Sequence, residues 1–231
     1  GNYNASANLN ACTLTVNNNA NVIIPAGYNV TLNGALTVSS GSFTLNNNAN
    51  LIQSSNVANS GNIIVKRETA ALMRLDYAMW SSPVTNAGQY LKTFSPSTLD
   101  ARFYTYNPST NVYASVVASS TNFAVGTGYL IRLPNDHPTT PTIWTGTFTG
   151  TPNNGNVNLV VANGTYNAIG NPYPSAIRGS QFLFDNRTKI EGEIRLWTHG
   201  TLPAAIPSPF YGTYMYNYTP GDYYTYNFTG T

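Results

Sequence analysis

Short runs of β-branched and aliphatic residues recur along the first part of the chain, and Asn, Gly or Ser follows each run. Between Cys12 and Gln53 the runs are CTLTV, NVIIP, NVTLN, ALTV, SFTL and NLIQ. An amphipathic helix would repeat its apolar residues every three or four positions over a longer stretch. The pattern therefore excludes helices here and predicts very short strands separated by turns.

These runs also contain an internal repeat, because LTVNNNANVI at residues 14–23 returns as FTLNNNANLI at residues 43–52. Repeated short strands joined by Asn and Gly corners are typical of a β-helix or β-roll, in which each rung stacks on the previous one. We expect Asn17 to Asn19 and Asn46 to Asn48 to occupy equivalent corners, where amides form ladders and tolerate left-handed backbone. An ordinary antiparallel sheet is the alternative for this segment.

Alternation along the runs directs one set of side chains towards the interior of such rungs. A β-helix of short strands has a narrow core, which these aliphatic side chains and one Phe would fill. The set is Leu14, Val16, Val22, Ile24, Val30, Leu32, Leu36, Val38, Phe43, Leu45 and Leu51.

The pattern changes at GNIIVKR, residues 61–67, which brings the first charged residues. Residues 102–116 predict a hairpin around Asn-Pro-Ser-Thr, a type I turn sequence with Pro at its second position. Glycine and proline separate the further predicted strands at the spacing of a β-sandwich. Only ETAALMRL, residues 68–75, has helical propensity. The further strands are TGYLIRL, TIWTGTF, VNLVV, TYNAI, EIRLW, TYMYNY and YYTYNF.

The sequence therefore predicts an all-β fold in two parts. Residues 1–60 form the short-strand segment, similar to a β-helix or β-roll, and residues 61–231 form an antiparallel β-sandwich-like domain. We expect Trp80, Trp144 and Trp197 to lie mostly in the core of the second part.

Composition narrows the classes of partner and compartment. Only 8% of the 231 residues are charged, and the net charge of +2 is scattered, so no basic patch predicts nucleic-acid binding. No apolar run approaches the ~20 residues that span a bilayer. Cys12 is the only cysteine, which excludes internal disulfides and a cysteine metal site. An Asn- and Thr-rich, nearly uncharged β-protein of this kind is typical of bacterial extracellular proteins.

Residues that could carry catalysis are few. His137 and His199 lie outside any metal-ligand spacing, and we expect both in surface turns. The chain has no Gly-rich phosphate loop before a helix and no G-x-S-x-G sequence. We therefore predict no enzymatic activity, no metal and no cofactor.

Glu191 and Glu193 are the one pair of carboxylates with a suggestive spacing. Two residues apart on a strand they share a face, as glycoside chemistry or a cation would require. Lys189 and Arg195 fall on the same face, however, so alternating charges neutralise it. We interpret the pair as structural and keep a glycoside hydrolase as the weaker hypothesis.

Tyrosines are concentrated near the end of the chain. Tyr214, Tyr216 and Tyr218 share one strand face, and Tyr224 and Tyr226 share a second after a Pro-Gly turn. Buried, these rings form core and direct only their hydroxyls to the rim. Exposed, they form a platform that stacks on sugar rings, which makes these five tyrosines the candidate ligand-binding residues.

Several phrases together resemble a recurrent module of large surface and secreted proteins of Bacteroidetes, the cargo of the type IX secretion system. They are GNIIVKR, YAMWSSPV, LKTFSPSTLDARFYTYNPSTNVY, GTGYLIRLP, FTGTPNNGNVNL, YNAIGNPYPSAI and LWTHGT. The resemblance covers about residues 60–231, and residues 12–53 resemble the stacked segments that often precede the module. It implies a secreted or cell-surface location and gives no catalytic residues. It also implies that the sandwich continues past Thr231 and that the chain is a piece of a larger protein.

The function expected from these features is a non-catalytic extracellular structural or adhesion module. A carbohydrate-binding module of a secreted polysaccharide-degrading protein is the alternative. The expected partners are other subunits or the remainder of its own protein, added by strand pairing at the edge of YYTYNF, together with surface glycans. GNPYPS, residues 170–175, is expected to be a structural corner, because each residue before a proline is held in extended geometry.

Overall fold

Eight short strands wind as rungs through the first part of the chain, as expected. Their pairing is parallel on three sides, and on each side a strand pairs with the strand of the next rung, as in Ala20 with Gly41 and Asn29 with Asn50. The segment is a β-helix-like solenoid, and the antiparallel alternative is wrong for it. The strands are β1 Asn2–Asn4, β2 Leu9–Ala11, β3 Leu14–Val16, β4 Ala20–Ile24, β5 Asn29–Leu32, β6 Leu36–Val38, β7 Gly41–Leu45 and β8 Asn50–Gln53.

The computed structural model describes residues 1–199, 201 and 219–227. Within it the chain folds as two compact units, Gly1–Ala176 and Ile177–Thr231. All the rungs belong to the first unit.

The two asparagine corners are real but not equivalent, which corrects the prediction. Asn17 to Asn19 join β3 to β4, whereas Asn46 to Asn48 join β7 to β8, so they lie at two different corners. Asn29 and Asn50 stack on neighbouring rungs and are 21 residues apart, so one full turn of the solenoid takes 21 residues. The two repeated sequences are 29 residues apart, which is one full turn plus about one more side. The left-handed backbone is confirmed, with φ of +52°, +54° and +61° at Asn18, Asn19 and Asn48.

The predicted inward side chains form the solenoid core. Three of them, Leu14, Val22 and Val38, are partly buried and pack against the rest. The other eight are buried: Val16, Ile24, Val30, Leu32, Leu36, Phe43, Leu45 and Leu51.

One side of the solenoid, formed by β1, β4 and β7, has a fourth strand that connects it to antiparallel structure. β9, Ile63–Glu68, pairs in parallel with β7 and antiparallel with β15, Thr145–Pro152. β15 in turn pairs with β11, Val84–Thr85, which completes a six-stranded sheet. The domain boundary predicted at residue 60 therefore falls inside the first unit, where one sheet continues across it.

A second sheet of the first unit is entirely antiparallel. Its strands are β10 Tyr77–Trp80, β12 Phe103–Asn107, β13 Val112–Ser115 and β14 Tyr129–Arg132, in the order β10-β14-β12-β13. β12 and β13 form the predicted hairpin, which closes where Asn107 pairs with Val112.

Aromatic side chains join the two sheets. Phe148 of β15 stacks on Phe94 at 4.6 Å between ring centroids, and Trp80 of β10 contacts both of these rings and Trp144. Phe94 lies in a one-turn helix, α1, Leu91–Phe94. Trp80 is buried and Trp144 packs on the same core, as predicted for these tryptophans.

Residues 68–75 are not helical, which corrects the prediction for ETAALMRL. Glu68 ends β9, and Leu72 exchanges backbone hydrogen bonds with Thr142 at 2.9 and 3.0 Å. His137 fixes this pairing, because its Nε2 lies 3.0 Å from the Leu72 carbonyl and 3.1 Å from that of Thr142. His137 is thus buried instead of exposed, and tertiary pairing overrides helical propensity.

Two other predicted strands are absent from the described structure. VNLVV, residues 157–161, has no regular secondary structure, and TYNAI forms only an isolated bridge from Ile169 to Thr127. Asn167 explains part of this, since its side chain bonds to the backbone of Ala162 and Thr165 and closes a local loop.

The second unit contains a helix that the sequence did not predict. α2, Gly179–Asn186, packs against the antiparallel pair β16, Glu193–Trp197, and β17, Tyr223–Asn227. Leu183 of α2 is fully buried. TYMYNY, residues 213–218, lies outside the described residues. No helix in the described part of the chain has the length and apolar character to cross a bilayer.

Candidate functional site

The structure describes two of the five candidate tyrosines, and they have different surroundings. Tyr224 lies opposite Leu196 in the β16–β17 pair, and these side chains are 45% and 52% exposed. Tyr226 lies opposite Ile194 against α2, where a β-carbon on Gly179 would be 3.0 Å from its ring. Tyr224 is therefore the more exposed of the two described tyrosines of the proposed platform. Tyr214, Tyr216 and Tyr218 lie outside the described residues.

Glu193 forms the expected ion pair on its own strand. Its carboxylate lies 3.0 Å from the Nη2 of Arg195, whose Nε donates to the same oxygen at 3.0 Å. Glu191 is exposed and precedes β16, so the two glutamates are not neighbours on one strand. Among the described residues no three His, Cys, Asp or Glu side chains gather as metal ligands.

Asp222 is a buried carboxylate that sequence reasoning did not single out. Its two oxygens accept hydrogen bonds from the backbone N–H and hydroxyl groups of Thr201 and Thr219, at 2.7–3.0 Å. Burial raises the pKa of this carboxyl, but these hydrogen bonds outweigh burial and the pKa lies below its ordinary value. Because the described donors come from two separate places in the chain, residues 201 and 219, Asp222 acts as a structural clip between them.

His199 lies close to Trp197, with ring centroids 4.2 Å apart. It has left-handed backbone, with φ of +56°, and is half-buried. The turn expected at His199 is thus packed against an aromatic ring of the second unit.

The GNPYPS corner closes one side of the solenoid. Pro174 accepts the N–H of Leu51 at 2.9 Å, and the N–H of Ala176 donates to the Asn50 side chain at 3.0 Å. Tyr173 donates its hydroxyl to the Gly155 carbonyl at 2.6 Å. These bonds cap the free edge of β8, so the corner is a structural element of the fold.

A cleft of about 600 Å³ lies beside this corner, where residues 56–59 face the end of β15. Its lining mixes apolar residues with asparagines, and most of these amides are engaged. Asn59 bonds reciprocally with Gln53 and donates to the Pro152 carbonyl. Asn153 donates to the Pro172 carbonyl and accepts from Thr85. The cleft is therefore held together by its own amides and lacks an aromatic wall among the described residues that line it.

The outer face of the β10-β14-β12 sheet gathers arginines and tyrosines. Tyr77 pairs directly with Arg132, so their side chains share this face, and the Tyr77 ring lies 6.0 Å from that of Tyr104. Arg102 approaches the Tyr104 hydroxyl at 3.4 Å. Arg74 precedes β10, whose pairing with β14 continues where the Leu133 N–H donates to the Asp76 carbonyl at 2.9 Å. Burial lowers the pKa of Arg132, and the nearby charges of Arg102 and Arg74 lower it further.

Sequence reasoning missed this arginine group. Arg74, Arg102 and Arg132 are separated by roughly thirty residues each and belong to no motif. Only the pairing of β10, β14 and β12 brings them together. The sequence contains one indirect signal. Of its ten Lys and Arg residues, these three lie in or next to strands that contain aromatic residues.

The fold and these features define an all-β chain that begins as a solenoid and continues into antiparallel sheets. The chain belongs to the family described as Domain of unknown function (DUF8693), whose sequence model matches residues 2–231. The match includes the rungs as well as the antiparallel sheets. No curated protein and no solved structure matches the chain.

Proposed function

We propose that this chain is a non-catalytic structural or adhesion module of an extracellular bacterial protein, which joins its partner by strand addition at the first rung. The observation that carries the proposal is the outward edge of β1, β2 and β3. Each of these strands pairs on one side only within the described residues. A strand edge of this kind offers N–H and C=O groups to another strand.

Hydrogen bonds identify the groups at this edge. Ala5 donates to the Ile23 carbonyl and Gly1 accepts from Asn21, so alternate residues of β1 bond towards β4. The N–H and C=O groups of Asn2 and Asn4 therefore point the other way. By the same alternation Asn10 of β2 and Thr15 of β3 present their backbone at the outward edge, and all four residues are exposed.

Nothing in the first rung repels another strand. The first charged residue of the chain is Lys66, so the three outward strands carry neither Lys nor Glu, and they contain no proline. Natural edges are ordinarily protected by charge, proline or bulges. An unprotected edge supports a role in assembly.

The opposite end of the solenoid is covered by the chain itself. β9 and β15 continue one side, and Pro174 and Ala176 cap β8 on the second. On the third side Ser60 bridges to Thr37 and the Asn59 side chain accepts from Leu36. Strand addition is thus directed to the first rung, and its partner is another subunit or the remainder of the same protein.

The extracellular location rests on composition and on the phrases that resemble type IX secretion cargo of Bacteroidetes. Amides and hydroxyls provide the polar surface in place of charge, and the single cysteine is exposed. Detection of the protein outside cells that carry the secretion system, and its retention inside cells that lack the system, tests this part of the proposal.

Asn4→Pro tests assembly, with Asn4→Ala as the matched control. Proline removes the outward N–H of Asn4, whereas alanine retains it. We expect light scattering to show concentration-dependent association of the wild type and of Asn4→Ala, and loss of association in Asn4→Pro. If the remainder of the protein is the partner, the amides of Asn4, Asn10 and Thr15 will exchange slowly in the longer protein. A monomeric chain whose edge amides exchange rapidly in both settings excludes the assembly role.

Carbohydrate binding is the second candidate function, and the exposed Tyr224–Leu196 pair favours it. A tyrosine ring beside an aliphatic side chain offers a flat apolar surface to a sugar ring. A glycan array with wild type and Tyr224→Ala tests it, and Tyr3→Ala is the control because Tyr3 is similarly exposed, at 47%. Equal glycan signals from the wild type and Tyr224→Ala would remove this candidate.

A further inference from the structure

The arginine group on the outer face of β10, β14 and β12 contains more positive charge than its surroundings balance. The described residues include every Asp and Glu side chain of the sequence, and their ion pairs join Lys92 to Asp100 and Arg195 to Glu193. No carboxylate pairs with Arg74, Arg102 or Arg132. Like charges held together without a counter-charge destabilise one another.

Arg132 is at the centre of the group and is only 7% exposed. Its Nη2 donates to the Asn135 side chain at 3.2 Å, but its Nε is buried without a hydrogen-bond partner in the described structure. The Nε of Arg74 is also buried and has no hydrogen-bond partner in the described structure. Buried, unsatisfied donors on charged groups are costly, so most structures provide acceptors for them.

Arg67 of β9 shows how this chain satisfies a partly buried arginine elsewhere. Its guanidinium donates to the carbonyls of Asn46, Ala49 and Lys66 at 2.8–3.4 Å. Burial lowers the pKa of Arg67, yet three carbonyl oxygens face its charge. Arg74, Arg102 and Arg132 have no such set of backbone acceptors among the described residues.

Two tyrosines complete the group. Tyr104 donates its hydroxyl to the Ala101 carbonyl at 2.9 Å and approaches Arg102. Burial and the neighbouring Tyr104 raise the pKa of Tyr77 to about 12, so Tyr77 stays protonated at neutral pH. Tyr77 therefore adds no negative charge that would balance the arginines.

We propose that Arg74, Arg102 and Arg132 form a binding site for an oxyanion, a sulfate or carboxylate group, on the outer face of β10, β14 and β12. Guanidinium groups match the geometry of these anions and bind them through paired N–H donors. The bound anion balances the three positive charges. The proposal does not depend on assembly at the first rung or on the Tyr224 surface.

A titration with sodium sulfate tests the site, with sodium chloride replacing it at constant ionic strength. The readout is the ¹⁵N–¹H signals of the Arg74 and Arg132 Nε groups, together with the thermal midpoint. We expect saturable shifts of both signals in the wild type and a midpoint that rises with sulfate. Absent or linear shifts would overturn the proposal, because they would show only a general effect of ions.

Variants connect the response to the residues. Arg102→Gln and Arg74→Gln should each weaken sulfate binding about tenfold, as expected for one lost charged hydrogen-bonding group. Lys66→Gln removes the same charge from a strand outside the group and should bind as the wild type does. If Arg102→Gln does not fold, Arg74→Gln alone decides. Equal affinity in Arg74→Gln and Lys66→Gln would refute the site.

Two further arms identify the source of the anion. Sodium acetate replaces sulfate to distinguish a carboxylate from a sulfate preference. A sulfated monosaccharide that binds more tightly than inorganic sulfate indicates an anion carried on a sugar, whereas equal binding indicates the free ion. Asn4→Pro should leave all of these affinities unchanged, so failure of the assembly proposal and failure of this site remain distinguishable.

Discussion

Asn50 donates its side-chain amide to the Asn29 side-chain oxygen at 2.7 Å, one rung below it in the solenoid. The Asn29 backbone N–H in turn donates to the side chain of Asn8 at 2.8 Å, and the Asn50 oxygen accepts from Ala176. Side-chain amides thus connect three rungs and the segment that caps them. The ladder lies within the first 65 residues, which contain no Asp, Glu, Lys or Arg side chain.

Removal of the ladder should weaken the solenoid in proportion to the bonds lost. We expect Asn29→Ala to lower the free energy of unfolding by about 1 kcal/mol and Asn50→Ala by about 2 kcal/mol, because Asn50 has two partners. Asn10→Ala is the control, since this exposed side chain has no hydrogen-bond partner among the described residues, and it should change stability by less than about 0.5 kcal/mol. Urea unfolding measures all three. A loss in Asn10→Ala equal to that in Asn50→Ala would contradict a role for the ladder.

Gly41 and Gly27 test how closely the rungs approach one another. Both have left-handed backbone, with φ of +92° and +86°. A β-carbon on Gly41 would overlap the backbone of Ala20, whereas one on Gly27 would have no atom within 4 Å. We expect Gly27→Ala to cost about 1 kcal/mol through backbone strain alone. Gly41→Ala should cost more than about 3 kcal/mol or prevent folding, since backbone must move. Similar urea midpoints for the two variants would show that the sheet yields at Gly41.

The rungs could be predicted because their signal is local. Each short run supplies its own inward residues, such as Ile24 and Leu45, and each turn its own Asn or Gly. The register could not be predicted from the repeat, because similar asparagine corners occur on different sides of the solenoid. The corner that stacks on residues 17–19 is Ser39–Ser40, where Asn19 donates to the Ser40 hydroxyl, and its sequence differs.

Features that depend on tertiary contacts were missed. α2 has no side-chain cap at Arg178, and the burial of Leu183 against β16 and β17 stabilises it instead. His137 was expected at the surface because nothing nearby in sequence indicates the carbonyls of Leu72 and Thr142. The arginine group has the same origin, since strand pairing alone unites its members.

Phe148 should be the most sensitive position of the aromatic core. It is fully buried and contacts Phe94, Phe123 and Trp80. We expect Phe148→Ala to lower the free energy of unfolding by about 3–5 kcal/mol and to shift the emission of Trp80 and Trp144 to longer wavelength. Ile143→Ala is the control because Ile143 is exposed, and it should leave both quantities nearly unchanged. An unchanged emission in a folded Phe148→Ala variant would mean that the cluster tolerates the cavity.

Asp222 should make the second unit sensitive to acid. Because its pKa in the folded state lies below the ordinary value, its stabilisation is complete above the unfolded pKa of about 3.9 and is lost as pH falls through that value towards the folded pKa. Hydrogen exchange at the Thr201 and Thr219 amides, corrected for the intrinsic rate, measures this loss between about pH 6 and about pH 3, a range that brackets the ordinary carboxyl pKa. Asp222→Asn should lose most of the protection already at pH 6 and show no acid step, since an amide offers only one acceptor oxygen to these donors. Asp185→Asn is the control, because this exposed carboxylate of α2 accepts from Gln181 alone among the described residues. An acid step in Asp222→Asn as large as that of the wild type would assign the pH dependence to another group.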